Sequence, residues 1–341
     1  MSSHPVERLL DANANRAAEG LRALEDVARF LLDDVAAATC AKDLRHAVRA
    51  VLPPQAVSWR DAGGDVGESI KAGDEGLRSS PVAVIRANAA RAQEALRALE
   101  EGLKLSGGSW RAAEAVRYRV YRLESDLLSC LPSWRLWQIR LYVLVDTALC
   151  DDPVAVAAAV VRGGAGVVQL RAKGMPPRAY RELAVRVQDA VRGASGMFVV
   201  NDHVAIARAI DADGIHVGQD DLSPADVRSV VGPRCAIGVS AHTVEQAVAG
   251  QLHADYLGLG PMFATTTKPH EPCRGPELLD AVRPALRLPS YAIGGLDANR
   301  LSSLRTRLPH GAAVAGSVCR AVDPERAAAE LLTILMPDET P

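Results

Sequence analysis

The sequence predicts two architectures in one chain: an all-α unit with an internal repeat over residues 1–136, then an α/β unit over residues 137–341 built as a (β/α)8 TIM barrel. Three observations carry this reading. The segments NANRAAEGLRALE (13–25) and NAARAQEALRALE (88–100) agree at ten of thirteen positions with a constant offset of 75 residues. Before about Pro132 there is hardly any β-branched alternation. After Trp137 short Val-rich runs recur eight times, most of them separated by Ala- and Arg-rich stretches with helical spacing.

In the first unit, helical periodicity runs over residues 5–32, 39–51, 81–105 and 110–131. Ser3 before Pro5 and Ser80 before Pro81 are start signals, because a proline in the first turn gives up an N–H that has no intrahelical partner. Between the two copies, SWRDAGGDVGESIKAGDEG (58–76) is polar and Gly-rich and reads as loop. PSWRLWQ (132–138) is the seam. Strands are then expected at LYVLVD (141–146), GVVQL (166–170), MFVVN (197–201) and GIHV (214–217). Four more follow at CAIGVSA (235–241), DYLGLG (255–260), SYAIGG (290–295) and AAVAGS (312–317). Segments such as 177–191 and 297–304 supply helices between them. Eight consecutive units favour closure over an open doubly wound sheet.

With 48% hydrophobic but only 4% aromatic residues, the cores must be built mainly from Ala, Val and Leu. A formal charge of −2 argues against a nucleic acid or an anionic membrane as partner. The opening MSSHPVERLL lacks a basic stretch ahead of a long apolar core, and runs such as VAVAAAVV (154–161) are too short to span a bilayer. A cytoplasmic protein is expected. Six cysteines without a CxxC pair read as free thiols.

On a helical wheel, Ala17, Leu21, Leu24, Ala28 and Leu31 form one apolar stripe. Arg22, Glu25, Asp26 and Arg29 fall opposite, as pairs Arg22–Asp26 and Glu25–Arg29 that the second copy repeats as Arg97–Glu101 and Glu100–Lys104. They read most simply as a solvated face laced by ion pairs. Asn13, Arg16 and Glu19, with their counterparts Asn88, Arg91 and Glu94, flank the stripe among small residues. Asn is a poor helix-interior residue, so its side chain is expected to have a partner. Two readings stand level: an Asn–Arg–Glu network locking the copies together, or a polar cleft for a ligand. Arg45 and His46 stand where Arg117 and Tyr118 do, 72 residues on. The loop WRDAGGDVG (59–67), with Asp65, has glycines and acids suited to a phosphate and its metal, although an ordinary surface connection is the commoner use. The repeat with its RDxxxDVG-like loop resembles the alternative hydroxymethylpyrimidine phosphate kinase family over residues 5–130. That resemblance implies a helical kinase and makes Asn13, Arg16, Glu19, Asp65, Asn88, Arg91 and Glu94 candidates for its site. No GxxxxGK[ST] sequence is present, so a nucleotide such as ATP would be held differently.

In a (β/α)8 barrel the reactive groups lie just past the strand C-termini. Those positions hold Gln169, Arg171 and Lys173; Asn201 and Asp202; Gln219, Asp220 and Asp221; Ser240; TTTK (265–268); Gly294–Gly295; and Gly316–Ser317. Converging cations call for a strong anion, because unpaired burial is costly. Two carboxylates from separate strands suit Mg²⁺. Backbone N–H groups after strands seven and eight suit a phosphate. The mouth thus reads as built to transfer a group away from pyrophosphate. No paired general acid and base emerges, which counts against a phosphosugar isomerase.

The ordered set QLRAK, ND, HVGQDDL, GVSAH, TTTK, AIGG and AGS resembles the thiamine phosphate synthase family over residues 141–335. The resemblance implies condensation of hydroxymethylpyrimidine pyrophosphate with thiazole phosphate. By motif, Gln169, Arg171, Lys173, Asn201, Ser240 and Lys268 would hold the pyrimidine pyrophosphate. Arg171, Lys173, Ser240 and Lys268 would act in catalysis, and Asp202 and Asp221 would bind Mg²⁺. Thr265, Thr267, Gly294, Gly316 and Ser317 would hold the thiazole phosphate. His270 and Cys273, in a Pro-rich loop, read as part of a lid rather than a zinc site. His203, His216 and His242 read as supporting residues. A bifunctional kinase–synthase is expected, against a synthase whose helical unit serves dimerisation or ligand sensing; self-association is left open.

Overall fold

The computed structural model describes residues 5–59, 80–265 and 272–336. The chain divides into two compact units, Met1–Leu131 and Pro132–Pro341. Among the described residues no helix is long and apolar enough to cross a membrane.

The first unit is helical: α1 (Pro5–Asp26), α2 (Val35–Ala50), α3 (Pro81–Leu105) and α4 (Arg111–Ser129). Of the apolar stripe predicted for the first copy, Ala17, Leu21, Leu24 and Ala28 are inaccessible, while Leu31 is only half-buried and its neighbour Leu32 is buried instead. Helix α1 runs on through Val27–Leu31 as a widened π turn. Ser80 caps α3 as expected, its Oγ accepting from the Ala83 amide at 3.2 Å. Ser3 lies outside the described residues. Helices α1 and α3 approach closely at Gly20, where an added Cβ would stand 2.7 Å from the Asn88 carbonyl oxygen.

The charged face departs from expectation. Arg22–Asp26, Glu25–Arg29 and Arg97–Glu101 do pair, at 3.2, 3.7 and 3.1 Å, and of the four expected pairs only Glu100–Lys104 is replaced. Glu25 and Glu100, however, are buried, at 4% and 0% exposure. Glu25 receives the Arg45 guanidinium at 2.9 Å and Glu100 receives Arg117 at 2.6 Å. The equivalence of Arg45 and Arg117 therefore has a physical basis: each neutralises the repeated glutamate from the following helix. Lys104 pairs with Glu101 at 3.0 Å. Arg117 also donates to Tyr121 Oη at 2.8 Å.

The second unit opens with a short turn, α5 (Pro132–Arg135), and then closes a parallel barrel of eight strands. These are β1 (Leu141–Asp146), β2 (Val167–Arg171), β3 (Met197–Asn201), β4 (Gly214–Val217), β5 (Ala236–Ala241), β6 (Tyr256–Leu259), β7 (Ser290–Ile293) and β8 (Gly311–Val314). Around them lie α6 (Pro153–Arg162), α7 (Pro177–Gly193), α8 (Val204–Ala209), α9 (Pro224–Val231), α10 (Val244–Gly250), α11 (Glu277–Val282), α12 (Ala298–Leu304), α13 (Gly316–Cys319) and α14 (Pro324–Leu335). Strand eight stops before Gly316 and Ser317, which begin α13 rather than extending the strand. Strands buried on both faces read as continuous apolar runs, as in β1.

Outward side chains pack under the helices in the main core. Inward ones form a second core that includes Tyr142, Val167, Met197, Val199, Ala236, Tyr256 and Tyr291, closed from below by Leu136. Large and small residues alternate inside: an added Cβ at Gly238 would sit 2.0 Å from the Tyr256 ring. At the lower end, the Leu136 carbonyl accepts from Tyr291 Oη at 3.0 Å and from His310 Nε2 at 2.9 Å. With Nε2 protonated, Nδ1 of His310 accepts from Arg140 Nη1 at 3.0 Å. Burial holds the His310 pKa below its usual value, with the Arg140 charge adding to the effect.

Two outcomes are expected. Glu100→Ala leaves the Arg117 guanidinium buried without its partner and lowers the helical unit's stability by about 3–5 kcal/mol in urea unfolding; Glu101→Ala, at an exposed pair, changes it little. For His310 the folded pKa lies below the unfolded one, so its stabilisation is full above about pH 6.5 and is lost as pH falls through the folded value. Replacing His310 by Gln therefore narrows the difference in Tm between about pH 7.5 and about pH 5.5.

Candidate active site

The strand C-termini surround two adjoining cavities of about 430 and about 400 Å³. Both are lined by Arg171, Asn201, His216, Ser240, His242 and Pro261. The larger also takes in Gln169, Thr265, Gly294, Gly316 and Ser317. The smaller takes in Lys173, Asp202, Asp220 and Asp221. All the barrel candidates within the described residues thus meet at one end of the barrel. Thr267, Lys268 and His270 lie outside the described residues.

The cations are not waiting unpaired for an anion, as the burial argument expected. Arg171 Nη1 donates to Asp146 Oδ2 at 2.5 Å, and Asp146 is itself buried. Lys173 Nζ donates to Asp202 Oδ2. Asp202 takes a left-handed backbone (φ 62°), tolerated by Asp more than by most residues. Its amide donates to the His216 carbonyl at 3.0 Å, tying the end of β3 to β4. Asp221 Oδ2 accepts the Gly218 amide at 2.7 Å. Asp146 was not legible as a site residue, since it closes an unbroken apolar strand.

Gly294, Gly295, Gly316 and Ser317 form a cradle on the other side. Gly294 has φ 105°, and a Cβ there would stand 2.6 Å from Pro261 Cβ. The Oγ of Ser317 and the Oε1 of Gln169 are buried without hydrogen-bond partners among the described residues. Two arginines missing from the sequence reading flank the cradle. Arg300 Nη1 donates to the Gly295 carbonyl at 2.6 Å, and a Cβ on Gly316 would meet Arg320 Nη1 at 2.9 Å. The available signal was spacing: each follows its glycine by about one helical turn. Asp297, which caps α12, also lines this cavity.

Below both cavities runs a polar floor. Gln169 Nε2 donates to Tyr142 Oη at 2.7 Å, and Tyr142 Oη lies 3.0 Å from Tyr256 Oη. His216 places Nδ1 3.2 Å from Tyr256 Oη and Nε2 3.0 Å from Ser240 Oγ. Of the other histidines, His242 Nδ1 meets the Gly260 carbonyl at 2.6 Å, and His203 packs 4.4 Å from the Tyr180 ring. Cys273 is exposed, its thiol donating to the Met262 carbonyl at 2.9 Å.

Among the described residues no group of three or more His, Cys, Asp or Glu side chains gathers as for a metal. Mg²⁺ does not require one, since it takes one or two carboxylates and completes its shell with water and substrate phosphate. Asp202 and Asp221 on one cavity wall fit that demand.

In the helical unit, Asn13 and Asn88 donate to the carbonyls of Leu9 and Val84, one turn back on their own helices, at 2.9 Å each. Arg91 Nη1 reaches Asn88 Oδ1 at 3.5 Å. Arg16, Glu19, Arg91 and Glu94 are exposed. The asparagines' partners are therefore within each copy rather than between copies, and Asp65 lies outside the described residues.

Residues 141–318 match the family described as thiamine monophosphate synthase, and residues 8–126 match the ThiD2 family. A thiamine-phosphate synthase of Gloeobacter violaceus is 39% identical over 96% of this chain and 96% of its own length. One from Synechocystis is 37% identical over 97% and 96%. A solved thiamine phosphate pyrophosphorylase from Pyrococcus furiosus superposes with a TM-score of 0.54 at 30% identity, covering 59% of this chain and 97% of that one. With the barrel, its furnished mouth and relatives matching along nearly the whole length, this chain belongs to the thiamine-phosphate synthase family of transferases.

Proposed function

We propose that the barrel joins hydroxymethylpyrimidine pyrophosphate to thiazole phosphate, giving thiamine phosphate and pyrophosphate. One observation carries the reading: a cavity bearing cations and carboxylates adjoins one floored by tyrosines and rimmed by a glycine cradle. The first suits the diphosphate, the second the pyrimidine and the thiazole monophosphate.

The bond between the pyrimidine methylene carbon and the diphosphate oxygen breaks, and its electron pair leaves with the diphosphate. Arg171 and Lys173 face the developing charge, and Lys268 belongs to the same motif set. Arg171 and Lys173 each arrive with a salt-bridge partner that substrate oxygens would replace or join, so ligand binding there exchanges ion pairs rather than creating them. Asp202 and Asp221 would hold Mg²⁺, which when bound supplies positive charge toward the leaving diphosphate. The thiazole nitrogen then donates its lone pair to the methylene carbon. No protein nucleophile or proton transfer is required; alignment and charge supply the acceleration. Thr265, Gly294, Gly316 and Ser317 orient the thiazole phosphate, with Thr267 from the same motif and Arg300 and Arg320 alongside.

For the helical unit, expected from the sequence over residues 1–136 and compact over Met1–Leu131, we propose hydroxymethylpyrimidine phosphate kinase activity, supplying the barrel's substrate, with ATP as donor. The likeness of residues 8–126 to the ThiD2 family supports this. One observation favours the other reading, a dimerisation or sensing module: the candidates Asn13 and Asn88 spend their amide NH₂ groups on backbone carbonyls of their own helices.

Asp202→Ala should lower synthase kcat/KM by roughly 10²-fold or more in a pyrophosphate-release assay. Its Tm should fall only as far as the cost of Ala at a left-handed backbone, about 1 kcal/mol, requires, because the Lys173 partner is more than half exposed and the ion pair itself contributes little. Unchanged turnover would remove Asp202 from the site. The same full-length variant, given hydroxymethylpyrimidine phosphate and labelled ATP, should still form the pyrimidine pyrophosphate. If it forms none while the wild-type barrel stays active, the module reading stands instead.

A further inference from the structure

The polar floor of the barrel has a direction, and that direction specifies what the substrate ring must present. We infer that His216 is a positioning residue, held by Tyr142 and Tyr256 in the tautomer that makes Ser240 a hydrogen-bond donor toward the substrate, while Gln169 is left as an acceptor. The inference rests on the pyrimidine-binding reading above.

The chain crosses the barrel from β2 to β5 through Gln169, Tyr142, Tyr256, His216 and Ser240. An amide NH₂ can only donate, so the Tyr142 oxygen accepts from Gln169. Both tyrosines are almost fully buried, and burial pushes their pKa values well above the ordinary phenol range, so each keeps its single proton. The Tyr142 proton is then directed at Tyr256 Oη, and the Tyr256 proton at His216 Nδ1. An imidazole that accepts at Nδ1 carries its proton at Nε2, which meets Ser240 Oγ at 3.0 Å. With its oxygen accepting from His216, Ser240 has its own hydrogen to give to the cavity it lines.

The opposite terminus completes the pattern. Gln169 spends its NH₂ on Tyr142, and its Oε1 is buried without a partner among the described residues. A buried amide oxygen left unpaired is a cost that a ligand donor relieves. The cavity therefore offers one acceptor and one donor to a flat ring above the tyrosines. An aminopyrimidine answers both, its amino group donating to Gln169 and a ring nitrogen accepting from Ser240. A pyrimidinone, with a carbonyl in place of the amino group, would set oxygen against oxygen at Gln169. Tyr142, Tyr256 and His216 thus act on amino-versus-oxo discrimination through Gln169 and Ser240.

Full-length protein labelled with ¹⁵N-histidine, with His216 assigned from the spectrum of His216→Gln, reports the tautomer directly through two-bond nitrogen–proton correlations. The wild type is expected to show the neutral Nε2–H form without substrate. Tyr256→Phe, which removes the donor to Nδ1, is expected to shift His216 toward Nδ1–H. It should also raise KM for hydroxymethylpyrimidine pyrophosphate about tenfold while leaving KM for thiazole phosphate unchanged. If Tyr256→Phe does not fold, Tyr142→Phe tests the other end of the chain: it releases the Gln169 NH₂ from its fixed direction and is expected to raise the same KM. An Nδ1–H or doubly protonated His216 in the wild type overturns the inference, as does an unchanged KM in a variant whose tautomer has shifted. The tautomer is read without substrate, so the two failures are distinct: no synthase turnover in the wild type would sink the synthase reading and the substrate-facing role with it, whereas an Nδ1–H wild type that turns over would sink this inference alone.

Discussion

The ring of Tyr256 occupies the space that any side chain at position 238 would need, and much of the barrel follows from that steric choice. An eight-stranded barrel has an interior that side chains just fill, so a large residue on one strand requires a small one on its neighbour. Glycine at 238 admits Tyr256, and glycine at 258 makes room for the His216 ring, which an added Cβ there would approach to 3.2 Å. Tyr142 and Tyr291 pack against the same ring, with centroids 5.8 and 6.0 Å away. This aromatic layer is sealed from below by Leu136 and His310 and turns the upper half of the barrel into a cup with a solid floor.

A floor made of tyrosines differs from one made of Leu and Val in carrying hydroxyl groups into a dry interior. Buried hydroxyls must be satisfied, and here they satisfy one another and their polar neighbours in series. The same packing that gives the cavity its depth therefore gives it a polarity. Above it, the charged groups are balanced before substrate arrives: Arg171 by the buried Asp146, Lys173 by Asp202. Near-neutral charge at the mouth lets a site for a highly anionic substrate persist without the repulsion that free cations would cost.

The helical unit applies the same economy through repetition. Each copy buries a glutamate and supplies an arginine from its second helix to meet it, so a duplicated pattern yields two equivalent ion pairs. Removing either member leaves a charge in a low-dielectric surround. Residues that looked decorative in linear order thus belong to the unit's interior. The exposed Arg16, Glu19, Arg91 and Glu94 remain its surface chemistry.

By itself the sequence determined the order of elements, the strand positions to within about three residues, and the convergence of the described motif residues on one mouth. Those features are local: apolar runs bounded by glycine and proline form strands, and residues just past strand ends share one rim in a closed parallel barrel. What faces inward was not legible, because strands such as β1 are buried on both faces and lose the period-two signal. Tyr142, Tyr256 and His216 therefore read as ordinary strand residues until closure brought their side chains together. Glu25 and Glu100 were misread for a related reason, since their decisive partners lie 20 and 17 residues away on another helix. Periodicity reports which side of an element a residue occupies; only the tertiary structure decided whether another element covers that side, because burial and pairing depend on neighbours distant in the chain.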